Sequence, residues 1–275
     1  MKWTEEEINI ILNNYSKDGI NIKGINKTKI AIQHKASRLG IKVKDEYLSK
    51  NKSLSHKDKP KSKLCLVRAT NFRNPDKYSS YLLGLLWGDG YLNNKSQNYK
   101  ICIESISSDL REIEHIFNST GKWGIRERFR KNRQPQTTRI CSNLDLYTYL
   151  KENNYEDKAM KNSIIQNKID KKLVHYWWRG YFDADGCIYF NIKNKCTQLS
   201  FSSSYEQDWT FVEELFSYLN ITWTIQRIIK ANNNKYSSIR TTNKLYCIKF
   251  LNYIYQDEIF GFSRKYKKYK ELLIC

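Results

Sequence analysis

Between residues 77 and 275 the chain alternates helical and two-residue hydrophobic periods in an order that occurs twice. The first pass opens with an apolar helix, YSSYLLGLLWG (78–88), which Pro75 and Asp76 can start and the glycine at 90 can end. NYKICIES (98–105) then alternates as a strand. SDLREIEHIFNS (108–119) places Leu110, Ile113, Ile116 and Phe117 at helical spacing and predicts one helix. WGIRERFRK (123–131) and TTRICS (137–142) read as strands, and LDLYTYLKENN (144–154) closes as a helix. The second pass is LVHYWWRGYFDADG (173–186), strands CIYFNIK (187–193) and TQLSFSS (197–203), and helix QDWTFVEELFSYL (207–219). It continues with strands TWTIQRIIK (222–230) and YSSIRTT (236–242) and helix LYCIKFLNYIYQ (245–256). The shared order, αββαββα, predicts an α+β fold of two pseudo-symmetric repeats.

The N-terminal pattern is different. WTEEEINIILNNY (3–15) has Thr4 as an N-cap before Glu5, Glu6 and Glu7, a strong helix start. In NKTKIAIQHKASRLGIK (26–42), Ile30, Ile32, Ala36 and Leu39 can face a small core and leave Lys29, Gln33, His34, Ser37 and Arg38 outside. SKNKSLSHKDKPKSK (49–63) holds six lysines and little to bury. The expected division is a helical module at 1–43, a basic linker at 44–76, repeat one at 77–170 and repeat two at 171–275.

Charge narrows the class of partner. The 275 residues carry 48 Lys+Arg against 28 Asp+Glu, a net charge of +20. Such a surface attracts polyanions, and nucleic acid leads because phosphate contacts release counterions. No apolar run approaches the ~20 residues of a membrane span, and the start MKWTEEEINIIL lacks a signal peptide's basic and apolar regions. The seven scattered cysteines form no CxxC pair, against a disulfide framework or a zinc knuckle. The expectation is a reducing compartment without secretion: the cytoplasm, for a bacterial or phage-encoded protein, or an organellar matrix.

The chemistry lies at the ends of the two apolar helices. Gly84 and Gly88 in the first, and Gly180 and Ala184 in the second, are small residues four apart. They make a groove through which two helices can approach closely. If the helices pair there, Asp89 and Asp185 become neighbours. Two adjacent carboxylates repel unless a positive charge lies between them. A hard divalent cation with oxygen ligands answers this, and beside a very basic surface it points to metal-assisted phosphodiester cleavage.

LLGLLWGDG (82–90) and WRGYFDADG (178–186), each followed by the same run of elements, resemble the two motifs of single-chain LAGLIDADG homing endonucleases. The resemblance implies a saddle of two antiparallel sheets whose concave faces lie in the DNA major groove. It implies a monomer that cuts a long, asymmetric double-stranded target across the central minor groove, using an activated water and leaving short 3′ overhangs. Asp89 and Asp185, with Gly88 and Ala184 beside them, would hold Mg²⁺ (or Mn²⁺, with Ca²⁺ a non-cleaving substitute). The first copy departs from the motif at Trp87, where the second has Asp183; the family does not rely on that position for metal, so Trp87 reads as packing. A basic residue near each site is implied, with Lys158 in YEDKAMKN (155–162) and Lys265 in FSRKYKKYKEL (262–272) as the matches. Alternation puts Arg126, Arg128 and Arg130 on one face, opposite Ile125, Glu127 and Phe129, where arginine can read guanine. Arg139, Asn191, Lys193, Gln198, Gln226, Lys230 and Arg240 are further DNA-facing candidates, for phosphate or base. The N-terminal pattern, W-T-x-E-E and later A-x-x-x-K-A-x-x-L-G, resembles Myb/SANT helix-turn-helix modules, implying a last helix that enters a major groove.

Competing readings fit less well. As an EF-hand loop, DADGCIYFNIKN puts Cys187 and Tyr189 where oxygen ligands belong and Asn194 in place of the closing Glu. A haloacid-dehalogenase start needs a strand before the first Asp, and the first copy lacks that acid. The chain begins with Met1 and ends KELLIC, unlike an intein. A non-cleaving binder on the same saddle, an intron RNA maturase or a transcription regulator, remains the alternative.

Overall fold

The computed structural model describes residues 3–44, 67–94, 98–191, 196–256 and 260–274, in two compact units, Met1–Lys63 and Leu64–Cys275.

In the first unit α1 spans Glu5–Asp18 and α2 spans Lys29–Arg38. Thr4 caps α1 and exchanges hydrogen bonds with Glu7 in a capping box, and Thr28 caps α2. Ile11, Tyr15, Ile22, Ile32 and Ala36 form the core, with Leu39 packed against it. Ile32 and Ala36 set the buried stripe of α2, so Ile30, two positions back, turns outward and is 67% exposed rather than facing the core as expected. Lys29, Gln33, His34, Ser37 and Arg38 are exposed.

In the second unit the chain is already packed before residue 77. Val67, Ala69 and Phe72 are buried, α3 spans Thr70–Arg73, and the Asn143 amide donates to the Val67 carbonyl at 2.9 Å. The stretch expected as linker to residue 76 therefore includes core residues; its lysine-rich part, 45–66, lies outside the described residues.

Repeat one follows as α4 (Lys77–Asp89), β1 (Gly90–Asn93), β2 (Lys100–Ile106), α5 (Ser107–Glu112), α6 (Glu114–Thr120), β3 (Gly124–Arg128), β4 (Gln136–Ser142) and α7 (Leu144–Glu152). Repeat two is α8 (Val174–Asp185), β5 (Gly186–Asn191), β6 (Cys196–Ser203), α9 (Thr210–Tyr218), β7 (Thr224–Ile229), β8 (Lys235–Thr241) and α10 (Lys244–Ile254), with α11 (Ser263–Ile274) after it. Each repeat folds into a four-stranded antiparallel sheet, ordered β1-β2-β4-β3 and β5-β6-β8-β7. The helix expected over 108–119 is two, broken at Ile113 (φ −101, ψ 18). The break lets Leu110, Ile113, Ile116 and Phe117 all be buried.

Register fixes which residues share a face. Ile101 and Ile103 are level with Cys141 and Arg139, on the face that α4, α5 and the other helices cover. Cys102 and Glu104 are level with Ile140 and Thr138, on the open face, with Arg126 and Arg128. In repeat two Ile188, Leu199, Phe201 and Ile239 face the core, and Tyr189, Gln198, Ser200 and Arg240 face outward.

Candidate active site

The site is built by α4 and α8. Asp76 caps α4 and forms a capping box with Ser79. A Cβ built on Gly84 would overlap the Trp177 carbonyl oxygen, and one on Gly180 would overlap that of Tyr81. Only glycine allows two backbones so close. At the next turn a Cβ on Gly88 would collide with Ala184 Cβ and come within 3.0 Å of Asp185 Oδ2. The backbones thus approach most closely at Gly84 and Gly180, and the close packing continues one turn on, to where the carboxylates are.

Each helix stops one residue after the small-residue contact. Gly90 and Gly186 are extended (φ −87 and −76), so they do not end the helices in the left-handed form expected of a terminal glycine. Their role is room: a Cβ at Gly90 would strike the Leu86 carbonyl, and one at Gly186 the Phe182 ring.

Helix ends leave carbonyls without partners, and here buried ammonium groups take them. Lys158 Nζ donates to the carbonyls of Leu86 (3.2 Å), Gly88 (2.6 Å) and Gly90 (2.5 Å). Lys265 Nζ donates to those of Phe182 and Gly186, both at 2.5 Å. Leu86 and Phe182, and Gly90 and Gly186, are equivalent positions of the two repeats, so the lysines do the same work in each. All three ammonium donors of Lys158 are engaged on backbone.

The electrostatics follow from burial. Burial raises the Asp89 carboxyl above its usual range, opposed by a Ser105 hydrogen bond and by Lys158, Lys265 and Arg264. Burial, then the Asp89 charge, push Asp185 up to about 6, with Lys158 and Lys265 opposing. Burial lowers both lysines to about 8, and the aspartates hold them up. Two carboxylates and two ammonium groups therefore sense one another within one enclosed site. No cluster of three His, Cys, Asp or Glu side chains with metal-binding geometry occurs among the described residues. Two carboxylates with the Ala184 carbonyl and the Gly88 carbonyl, which already accepts one bond from Lys158, nevertheless make an oxygen-only donor set of the kind a hard divalent cation takes.

The open sheet faces hold most of the DNA-facing candidates. Arg126 and Arg128 lie on β3, with Arg128 3.6 Å from Glu104, but the strand ends at Arg128 and Arg130 lies beyond it. Asn191, Gln198, Gln226 and Arg240 are on the open face of repeat two. Lys230 lies just past β7 with its ammonium over the Tyr236 ring, 5.1 Å from the centroid. Lys193 lies outside the described residues. Arg139 is a correction. It sits on the covered face beside Ile103, is 3% exposed, and pairs with Glu114 and the Phe117 ring. It is part of the core and cannot reach a groove.

A buried polar cluster was not legible in the sequence. Asp183, fully buried, accepts from the Tyr81 hydroxyl (2.7 Å) and the Phe262 backbone N–H (2.9 Å). Arg179 is buried nearby with its guanidinium over Tyr255 and Phe260. These partners come from three distant segments, and no spacing rule joins them. Trp87, at the equivalent place in repeat one, packs edge-on against Tyr155 and Phe211 as an apolar residue.

Residues 172–255 match the family model of the LAGLIDADG-like domain. The match covers most of the second repeat. The first repeat has the same strand order, and its apolar helix likewise ends at an aspartate followed by glycine. An uncharacterized protein of Methanocaldococcus jannaschii is 26% identical over 171 residues, 60% of this chain and 62% of that protein. The chain thus spans about three fifths of the length of that relative. Among solved structures, the meganuclease I-SmaMI bound to uncleaveable DNA is similar over 72% of this chain and 90% of its own (13% identity, TM-score 0.45). Full-length DUF199/WhiA from Thermatoga maritima is similar over 72% of this chain and 60% of its own (16% identity, TM-score 0.45). No helix among the described residues is long and apolar enough to cross a membrane.

Proposed function

We propose that this chain is a site-specific double-strand DNA endonuclease that hydrolyses one phosphodiester bond in each strand with Mg²⁺. The observation that carries the reading is the pairing of Asp89 with Asp185. Each ends one helix of a glycine-packed pair, and each feels the other's partners, at the point where two open, polar sheet faces begin. The net charge of +20 favours a polyanion as the substrate.

Asp89 and Asp185, with the Gly88 and Ala184 carbonyls, are the residues that would hold the cation. Bound Mg²⁺ supplies charge neutralisation at the scissile phosphate and acidifies a coordinated water. The protein's own residues prepare that site. Lys158 and Lys265 fix the helix ends through the carbonyls they hold, and their positive charge favours ionised carboxylates at neutral pH. The open faces of the two sheets grip the duplex on either side, so the chain acts as a monomer on a long asymmetric site. The exposed row Lys29, Gln33, His34, Ser37 and Arg38 of α2 touches flanking DNA as a helix-turn-helix module would.

The test is selection of cleaved sites from a randomised duplex library with Mg²⁺, for the wild type and for Asp89→Asn/Asp185→Asn. One long site cut by the wild type alone, with short 3′ overhangs, supports the reading. Enrichment of bound sequence with no cut by either protein would establish instead a binder of the regulator or maturase kind.

A further inference from the structure

The two open sheet faces are chemically unlike. On the first, register places Lys100, Arg126 and Arg128, all exposed, with the half-buried Glu104, and the exposed Arg130, Lys131 and Arg133 follow in the β3–β4 loop. On the second, Arg240 is the only charged side chain that the described strands carry. Its place is taken in repeat one by Ile140, since each stands opposite the first residue of its edge strand, Thr224 or Gly124. Lys230, at the place of Arg130, follows just past β7 and is exposed, and the other described strand positions of the second face are neutral. They carry the amides Asn191, Gln198 and Gln226 and the hydroxyls of Tyr189, Ser200 and Tyr236. Ile228 stands level with Tyr236 as an apolar edge.

Resting on the endonuclease reading, we infer that the two repeats read half-sites of opposite base composition. Repeat one takes a guanine-bearing half and anchors it through phosphates. Repeat two takes an A·T-rich half. Guanidinium groups pair with the two acceptors of guanine, O6 and N7, and their charge also binds phosphate in a salt-dependent way. Side-chain amides match the donor and acceptor of adenine, N6 and N7, and an apolar side chain suits the thymine methyl. An amide-rich face with two cations, Arg240 and Lys230, competes poorly for phosphate with a face and loop of six, so it contributes sequence readout more than affinity. The place of Arg240 beside Ser200, which pairs with Cys187 just past Asp185, assigns it to the centre of the site.

The experiment is selection of bound duplexes from a randomised library with the Asp89→Asn/Asp185→Asn protein, alone and with added substitutions. The expected parent site has guanines in one half and A·T pairs in the other. Adding Gln226→Glu should move one or two positions of the A·T half from adenine to cytosine, by about tenfold, because a carboxylate accepts from cytosine N4. This new preference cannot come from a poorly folded protein. Adding Arg126→Ala and Arg128→Ala should cost about tenfold in guanine preference in the other half and flatten the salt dependence. Halves of equal composition, or a Gln226→Glu effect in the guanine half, would overturn this inference and leave the endonuclease reading standing. No enrichment by the parent protein would overturn both.

Discussion

The Tyr81 hydroxyl donates a 2.7 Å hydrogen bond to Asp183 across the helix pair, and the same carboxylate oxygen accepts from the Phe262 N–H at 2.9 Å. One acid thereby joins α4, α8 and the turn that starts α11, which carries Lys265. Burial raises the Asp183 carboxyl, and the charge of Lys265 and the Phe262 bond oppose that. Asp183→Ala should lose about 3 kcal/mol of folding stability, because two donors are left buried without an acceptor. Asp183→Asn keeps an acceptor oxygen and should lose about 1 kcal/mol. Urea unfolding of the three proteins checks this; an Ala variant as stable as the Asn variant would show that the bonds do not matter.

Gly84 and Gly180 lie against the Trp177 and Tyr81 carbonyls. In an isolated helix, replacing glycine by alanine gains about 1 kcal/mol. Here the added methyl must push two backbones apart, so each alanine variant should be destabilised, by about 2–4 kcal/mol, as overpacking costs predict. The separation would also carry Asp89 away from Asp185 and weaken cleavage more than folding. Thermal melting with a cleavage assay tests both, and an alanine variant that melts higher than wild type would refute the close packing.

Asp185 has a folded pKa of about 6 against an ordinary 3.8. The folded chain thus holds a proton that the unfolded chain has already released between those values. Stability from this group is full below about pH 4, is lost as pH rises through 6, and stays lost at neutral pH. Asp185→Asn should therefore be more stable than wild type at pH 7.5, by about 2–3 kcal/mol, and the gain should vanish near pH 4. Millimolar Mg²⁺ should raise the wild-type melting temperature and leave Asp89→Asn/Asp185→Asn unmoved. Cleavage should rise with pH through about 6 as Asp185 ionises. A variant less stable than wild type at pH 7.5 would mean that the ionised pair is not a net cost.

Local patterns carried the sequence reading further than long-range ones. The repeat order, the small residues of the helix pair and the two terminal aspartates are visible because each is a short-range regularity. The strand register puts Arg126, Arg128 and Gln226 on the open faces of their sheets. Alternation failed for Arg139, because the β4 period fits either face and the decision lay in its pairing with Ile103 and in a partner, Glu114, 25 residues back. The break at Ile113 was hidden because helical spacing of apolar residues persists across it. The lysines were found by resemblance, but their geometry, capping equivalent carbonyls in both repeats, depends on tertiary contacts that no spacing encodes.

The N-terminal unit offers a separable test. Its α2 exposes Lys29, Gln33, His34, Ser37 and Arg38 around a core of its own, and Leu64–Cys275 is compact by itself. If α2 grips flanking DNA, the linker turns its binding into an intramolecular event that adds affinity without touching the chemistry. Removing residues 1–63 should then leave the cleavage rate at saturating DNA unchanged. The apparent Kd for a long duplex should rise by about 10²-fold, and that for a duplex trimmed to the central site should stay as it was. Arg38→Ala with Lys29→Ala in the full chain should reproduce part of the loss and lower the salt dependence. Equal losses on long and trimmed duplexes would mean that the unit supports the fold of the larger unit and does not contact DNA outside the central site.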